Sequence, residues 1–166
     1  MKKTIQNTLL TVVSAAASLA FADGIALSKA PSIQAGFSVG CPAGTTQVGG
    51  VNSRMSAIAC MKSDGSRAFH GPMISLYSNG KVEAIGQTVE GMRSGRWSFF
   101  DTSGNKVGET EFANGDYHGR RLTYSSSGSL KTDEYWVNGK RQGAQKSIDA
   151  FGQLAVVQFV DDRPVK

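Results

Sequence analysis

The chain has 166 residues, 18 of them basic and 13 acidic, for a formal net charge of +5. That length suits one modest domain or a short repeat array. Two cysteines exclude a zinc ribbon and a dense disulfide scaffold. Charged residues make up 19%, too few for disorder driven by charge, and 20 glycines against 4 prolines suggest a turn-rich β protein.

Lys2 and Lys3 give the N-terminus a short positive start, and Thr8 to Leu19 is a run of apolar and small residues. Ala20-Phe21-Ala22 then supplies the small-x-small pattern that a signal peptidase needs. Residues 1–22 read as a secretory signal peptide cut after Ala22, rather than as a buried N-terminal helix. The run is too short for a membrane span, which takes about 20 residues. The two lysines carry two of the five net charges, so the rest of the chain is left with +3. The residue directly after the cut is Asp23 rather than cysteine, so no lipid anchor is expected, and nothing after Ala22 is apolar enough to form a transmembrane segment. The expected location is outside the cytoplasm, periplasmic or secreted.

Residues 23–40 show no clear period and are expected to be a flexible lead-in, with one strand around Phe37 to Val39. Residues 41–66 read as a cap. Outside the cytoplasm a close thiol pair oxidises, and Cys41 with Cys60 would close a loop worth about 3 kcal/mol in chain entropy. Thr45 to Val48, Gly49-Gly50 and Ser56 to Ala59 predict a hairpin with the bridge between its strands. Redox chemistry is disfavoured, because the C-x-x-C spacing is missing.

From residue 67 to 166 the chain repeats. Gly71, Gly95, Gly119 and Gly143 recur every 24 residues. Gly80, Gly104, Gly128 and Gly152 do the same, as do Gly91, Gly115 and Gly139, whose fourth member would be Arg163. All are read as turn glycines. Three glycine series in phase mark a repeat architecture. Short segments of β-branched and aromatic residues, bounded by Asn-Gly and Ser-Gly, predict strands and hairpin turns. The expected fold is all-β: an antiparallel meander of about eight short strands from four 24-residue β-hairpin repeats, with the disulfide-closed hairpin as N-terminal cap. The irregular fourth repeat is expected to close the other end.

Period-two alternation assigns faces. Leu76, Phe100, Tyr124 and Ile148 share one slot. Thr88, Phe112, Trp136 and Val160 share a second, and Val82, Leu130 and Leu154 a third, with Lys106 as the exception. These slots form the expected buried face. Met73, Trp97, Arg121 and Gln145, with Ser75, Phe99, Thr123 and Ser147, form the other.

Asn114-Gly115-Asp116-Tyr117-His118-Gly119 and Asn138-Gly139-Lys140-Arg141-Gln142-Gly143 resemble MORN-type repeats in the variant common in bacteria. His70-Gly71-Pro72 through Tyr77-Ser78-Asn79-Gly80-Lys81 is similar to that variant's repeat start. Cys41-Pro42 with Gly44-Thr45-Thr46 resembles the head of some exported members. The resemblance covers about residues 41 to 163. The Tyr-x-Gly opening of the eukaryotic repeat is absent. The resemblance implies an elongated array of β-hairpins used in binding or assembly, and bacterial members often carry an antitoxin-like label.

No catalytic pattern stands out. His70 and His118 lie two repeats apart, about 19 Å along a sheet, too far for one metal whose ligands sit about 2.1 Å away. No nucleophile elbow, phosphate loop or dinucleotide fingerprint occurs. Asp133-Glu134 and Asp161-Asp162 point to opposite faces of a strand. Neither an enzyme, a cofactor nor a metal is expected. Candidate binding residues are Trp97, Phe99, Tyr117, Arg120, Arg121 and Arg141: aromatics projecting opposite to Phe100, with arginines near the same turns. The competing reading is cross-strand packing with solvated arginine stems.

The expected function is a non-catalytic exported module that binds a protein partner through one sheet face. Two alternatives stand beside it. One is adhesion to anionic envelope lipid or wall polymer, suggested by a pI of about 9.4. The repeat array's own excess of charge is small, with 13 basic against 11 acidic residues. The other is neutralisation of a toxin. Nucleic-acid binding conflicts with export and lacks a basic helix.

Overall fold

The computed structural model describes residues 27–165; the segment read as a signal peptide, residues 1–22, lies outside the described residues. The described chain forms one antiparallel sheet of twelve strands: β1 (Thr45–Gly49), β2 (Ala57–Lys62), β3 (Phe69–Leu76), β4 (Val82–Val89), β5 (Met92–Phe100), β6 (Lys106–Ala113), β7 (Asp116–Tyr124), β8 (Leu130–Val137), β9 (Lys140–Arg141), β10 (Gly143–Ile148), β11 (Leu154–Val160) and β12 (Arg163–Val165). Each strand pairs with the next in sequence, except that β9 and β10 both pair with β8. No helix occurs among the described residues. The all-β meander is therefore as expected, with more strands than anticipated.

Two kinds of turn alternate along it. At Glu90-Gly91, Asn114-Gly115 and Asn138-Gly139 both residues have positive φ, from 47° to 86°, the backbone of the tight hairpin turn that matches strand twist. The fourth such turn is Asp161-Asp162, with φ of 48° and 66°. It comes one residue early, so Arg163 begins β12 rather than closing a turn. The opposite ends close over longer turns, in which the N–H of Gly80, Gly104, Gly128 or Gly152 donates three residues back, to the carbonyl of Tyr77, Asp101, Ser125 or Asp149.

Gly71, Gly95 and Gly119 are not in turns. They lie inside β3, β5 and β7, where Cys60, Gly86 and Glu111 each face three residues of the neighbouring strand. Their φ values of 105°, 64° and 93° are what such a bulge requires, and glycine reaches them without strain. In the fourth repeat the same irregularity, at Gly143, splits the strand into β9 and β10.

A second bulge corrects the assignment of faces. Leu76 pairs with Val82 but Ser75 pairs with Ala84, leaving Glu83 extra. Val107 and Lys131 are the corresponding extra residues in later repeats. One extra residue inverts the alternation downstream. Val82 therefore packs with Leu76 and Phe100, whereas Phe112 packs with Trp97 on the opposite face.

The first face carries the main core: Val39, Ile58, Cys60, Ile74, Leu76, Val82, Ile85 and Phe100. Residues 27–41 lie over it as a strap, with Leu27, Ala30, Ile33, Phe37 and Cys41 packed against those side chains. The part of the expected flexible lead-in that is described, residues 27–40, is thus packed against the sheet. Its apolar spacing of three and four residues, with no helix to explain it, hid this role. The expected strand at Phe37 to Val39 does not form. Instead the Gln47 amide stands in for a neighbouring strand: its Nε2 donates to Phe37 O at 2.9 Å and its Oε1 accepts from Val39 N at 2.9 Å. The disulfide joins Cys41 to Cys60, with Cα atoms 5.4 Å apart. Cys41 precedes β1, so the bridge ties the strap to β2 rather than joining two strands of a hairpin.

Candidate binding face

The face opposite the strap is built from side chains of successive strands, with Trp97 and Phe99 both from β5. Trp97 sits at its centre, fully buried, with Ala84 and Phe112. The half-buried side chains packed on this cluster, Met73, Phe99 and Tyr117, come from the strands themselves. The indole lies over Gly86, where any Cβ would collide with it, and its Nε1 donates to Gln87 O at 3.0 Å. A buried indole needs both a space and an acceptor, and this repeat supplies them by placing glycine opposite the bulge.

From Trp97 a ladder of aromatic rings crosses the sheet. Phe99 stacks at 6.4 Å between centroids, and Phe112 meets the indole edge-on at 6.3 Å. Tyr117 follows at 5.3 Å from Phe112, and Trp136 at 5.1 Å from Tyr117. Arginines lie on the rings: Arg93 is 4.7 Å from the Trp97 centroid, Arg121 is 5.4 Å from Tyr117, and Arg141 is 4.2 Å from Phe159. Such contacts contribute about 0.5–1 kcal/mol each where exposed.

The structure thus brings Trp97, Phe99, Tyr117, Arg121 and Arg141 to one face. Trp97, expected on an uncovered surface, is instead fully buried. Arg120 is on the strap face, with Nε and Nη2 both on Asp133 at 2.8 and 2.9 Å. That guanidinium holds the Asp133 carboxyl below its ordinary range, against the opposing effect of burial. The other arginines are paired too: Arg121 Nη1 is 2.6 Å from Glu134 and Arg141 Nε is 3.0 Å from Asp162. Phe112 and Trp136 were assigned by alternation to the far side. The extra residues at Glu83, Val107 and Lys131, visible only in the register between strands, place them here.

The two histidines occupy equivalent positions. His70 Nδ1 lies 3.2 Å from Glu90, and His118 Nδ1 lies 3.3 Å from Asn138. Each therefore contacts the first residue of a tight turn. Lys106, the odd residue of an apolar slot, is nearly buried on the strap face and pairs with Glu109 at 2.9 Å. Burial, then the Glu109 charge, pushes the nearby Tyr124 hydroxyl up. Among the described residues no group of three or more His, Cys, Asp or Glu side chains is placed to hold a metal, and no helix is long and apolar enough to cross a membrane.

No family model matches this chain, and no curated protein matches it. Among solved structures, the crystal structure of the GtfA/B complex bound to UDP and GlcNAc is similar over 85% of this chain and 29% of that one, at 10% identity and a TM-score of 0.32. The chain therefore spans under a third of that structure's length.

Proposed function

We propose that this chain is a non-catalytic repeat module, exported after loss of residues 1–22, that binds a protein partner through one face of its elongated sheet. The observation that carries this reading is the aromatic face. Phe99, Tyr117 and Trp136 are half-buried and form a continuous ladder with Arg121 and Arg141 beside it, while the buried Trp97 holds the rings in place. Partly exposed aromatics and arginine around a rigid centre suit a protein interface. The repeat pattern resembling bacterial MORN-type arrays agrees with a binding role. Adhesion to anionic envelope material is less well supported, because Arg120, Arg121 and Arg141 each already have a carboxylate partner.

A photo-reactive amino acid at Tyr117, introduced in cells that export the protein, tests the reading. A discrete protein adduct is expected from Tyr117, and none from the same probe at the exposed Asn52 in the turn after β1. Adducts only to lipid or wall polymer, or equal adducts from both positions, would overturn it.

A further inference from the structure

The strap covers only part of a longer apolar row. Beneath it, Leu76, Val82 and Phe100 are buried, and the strap is pinned by Ala30 N to Gly104 O at 2.9 Å and Lys29 Nζ to Asn105 Oδ1 at 2.8 Å. Pairing of Tyr124 with Leu130 and of Ile148 with Leu154 repeats the pairing of Leu76 with Val82. The row therefore continues past the strap. A cavity of about 550 Å³, shared by Leu27 and Tyr124, opens where the described strap begins. Beyond it the row is open: Leu154 is 61% exposed, and Val156 on the same side is 50% exposed.

We propose that this second half of the row is a docking site for an extended apolar segment of a partner protein, laid across β7, β8, β10 and β11 as the strap is laid across β2 to β6. This surface is separate from the aromatic face. The argument is continuity with an interface the molecule already makes. The turn ends repeat: Gly128 and Gly152 stand where Gly104 receives the strap backbone, and Ser129 and Gln153 stand where Asn105 receives Lys29. The strap spends about three residues per strand spacing of ~4.8 Å, so three further spacings call for about nine. A segment with an apolar side chain every third or fourth residue would match Tyr124, Leu130, Ile148 and Leu154. Leu130 and Ile148, half-buried, and Leu154, exposed, are the aliphatic surface that such a segment would bury.

The probe is a labelled synthetic peptide copying Leu27–Val39, titrated onto the exported protein and mapped by amide hydrogen exchange. The expected result is saturable binding with new protection in β8 to β11. Leu154→Lys, at an exposed position and checked for folding by circular dichroism, is expected to weaken binding about tenfold. A peptide with Leu27, Ile33 and Phe37 changed to serine should not bind. Absence of saturable binding, protection confined to β3 to β6, or full binding by Leu154→Lys would overturn the proposal. So would protection of β8 to β11 without peptide. If it appears only at high protein concentration, a second copy is the occupant; if at all concentrations, the occupant is this chain's own residues before Leu27.

Discussion

Trp97 carries the aromatic face, and its role is packing. It is fully buried beneath Arg93 and between Phe99 and Phe112, so Trp97→Ala leaves a cavity that strands cannot close. The expected cost is about 3–5 kcal/mol, read as a lower midpoint in urea unfolding, and larger than the cost of Tyr117→Ala at its half-buried position. Asp133 gives a pH signature. Arg120 depresses its pKa in the folded state, so its contribution to stability is complete above the unfolded value of about 3.9 and is lost as pH falls through the lower folded value. Asp133→Asn is expected to lower the melting temperature slightly at pH 7 and to flatten its fall between pH 4 and pH 2. The effect is modest, because Arg120 is 58% exposed and solvent screens the pair. A melting curve series across that range checks it.

At the scale of the element, the hairpin turns make the tightest demand on sequence. Asn138 has φ of 47°, a conformation that asparagine and glycine tolerate and alanine does not. Asn138→Ala is expected to cost about 1 kcal/mol, whereas Asn138→Gly should stay close to the parent; chemical denaturation of the two variants separates them. Gly119 answers to a different requirement. It is a bulge residue at φ 93°, and a Cβ there would collide with the Glu111 carboxylate that accepts the Arg120 N–H. The turn glycines were legible from the Asn-Gly pairs. The bulge glycines were legible as a 24-residue series, but not as bulges, because spacing alone does not say whether a positive φ turns the chain or inserts an extra residue.

For the whole molecule, the strap and its disulfide decide how much of the sheet becomes core. The main cluster lies under residues 27–41, and Cys41–Cys60 anchors one end of that cover. The double change Cys41→Ser with Cys60→Ser is expected to lower stability by about 3 kcal/mol and to raise hydrogen exchange in β2 to β5 more than in β8 to β11. Differential scanning calorimetry of oxidised and reduced protein, with exchange mapping, measures both. The C-terminal end has no corresponding cover among the described residues. There Leu154, Val156 and Val160 are exposed on β11, and β12 pairs with only Gln158 to Val160.

By itself the sequence determined the all-β class, the 24-residue repeat, the tight Asn-Gly turns and the pairing of Cys41 with Cys60. These follow from local rules: positive φ at glycine, alternation along short strands, and one thiol pair. Only the tertiary structure decided which side chains of different strands share a face, that Trp97 is buried, and that residues 27–41 supply a cover. Each of those depends on register between strands. Register turns on single extra residues such as Glu83, whose side chain bears no mark of the bulge it forms.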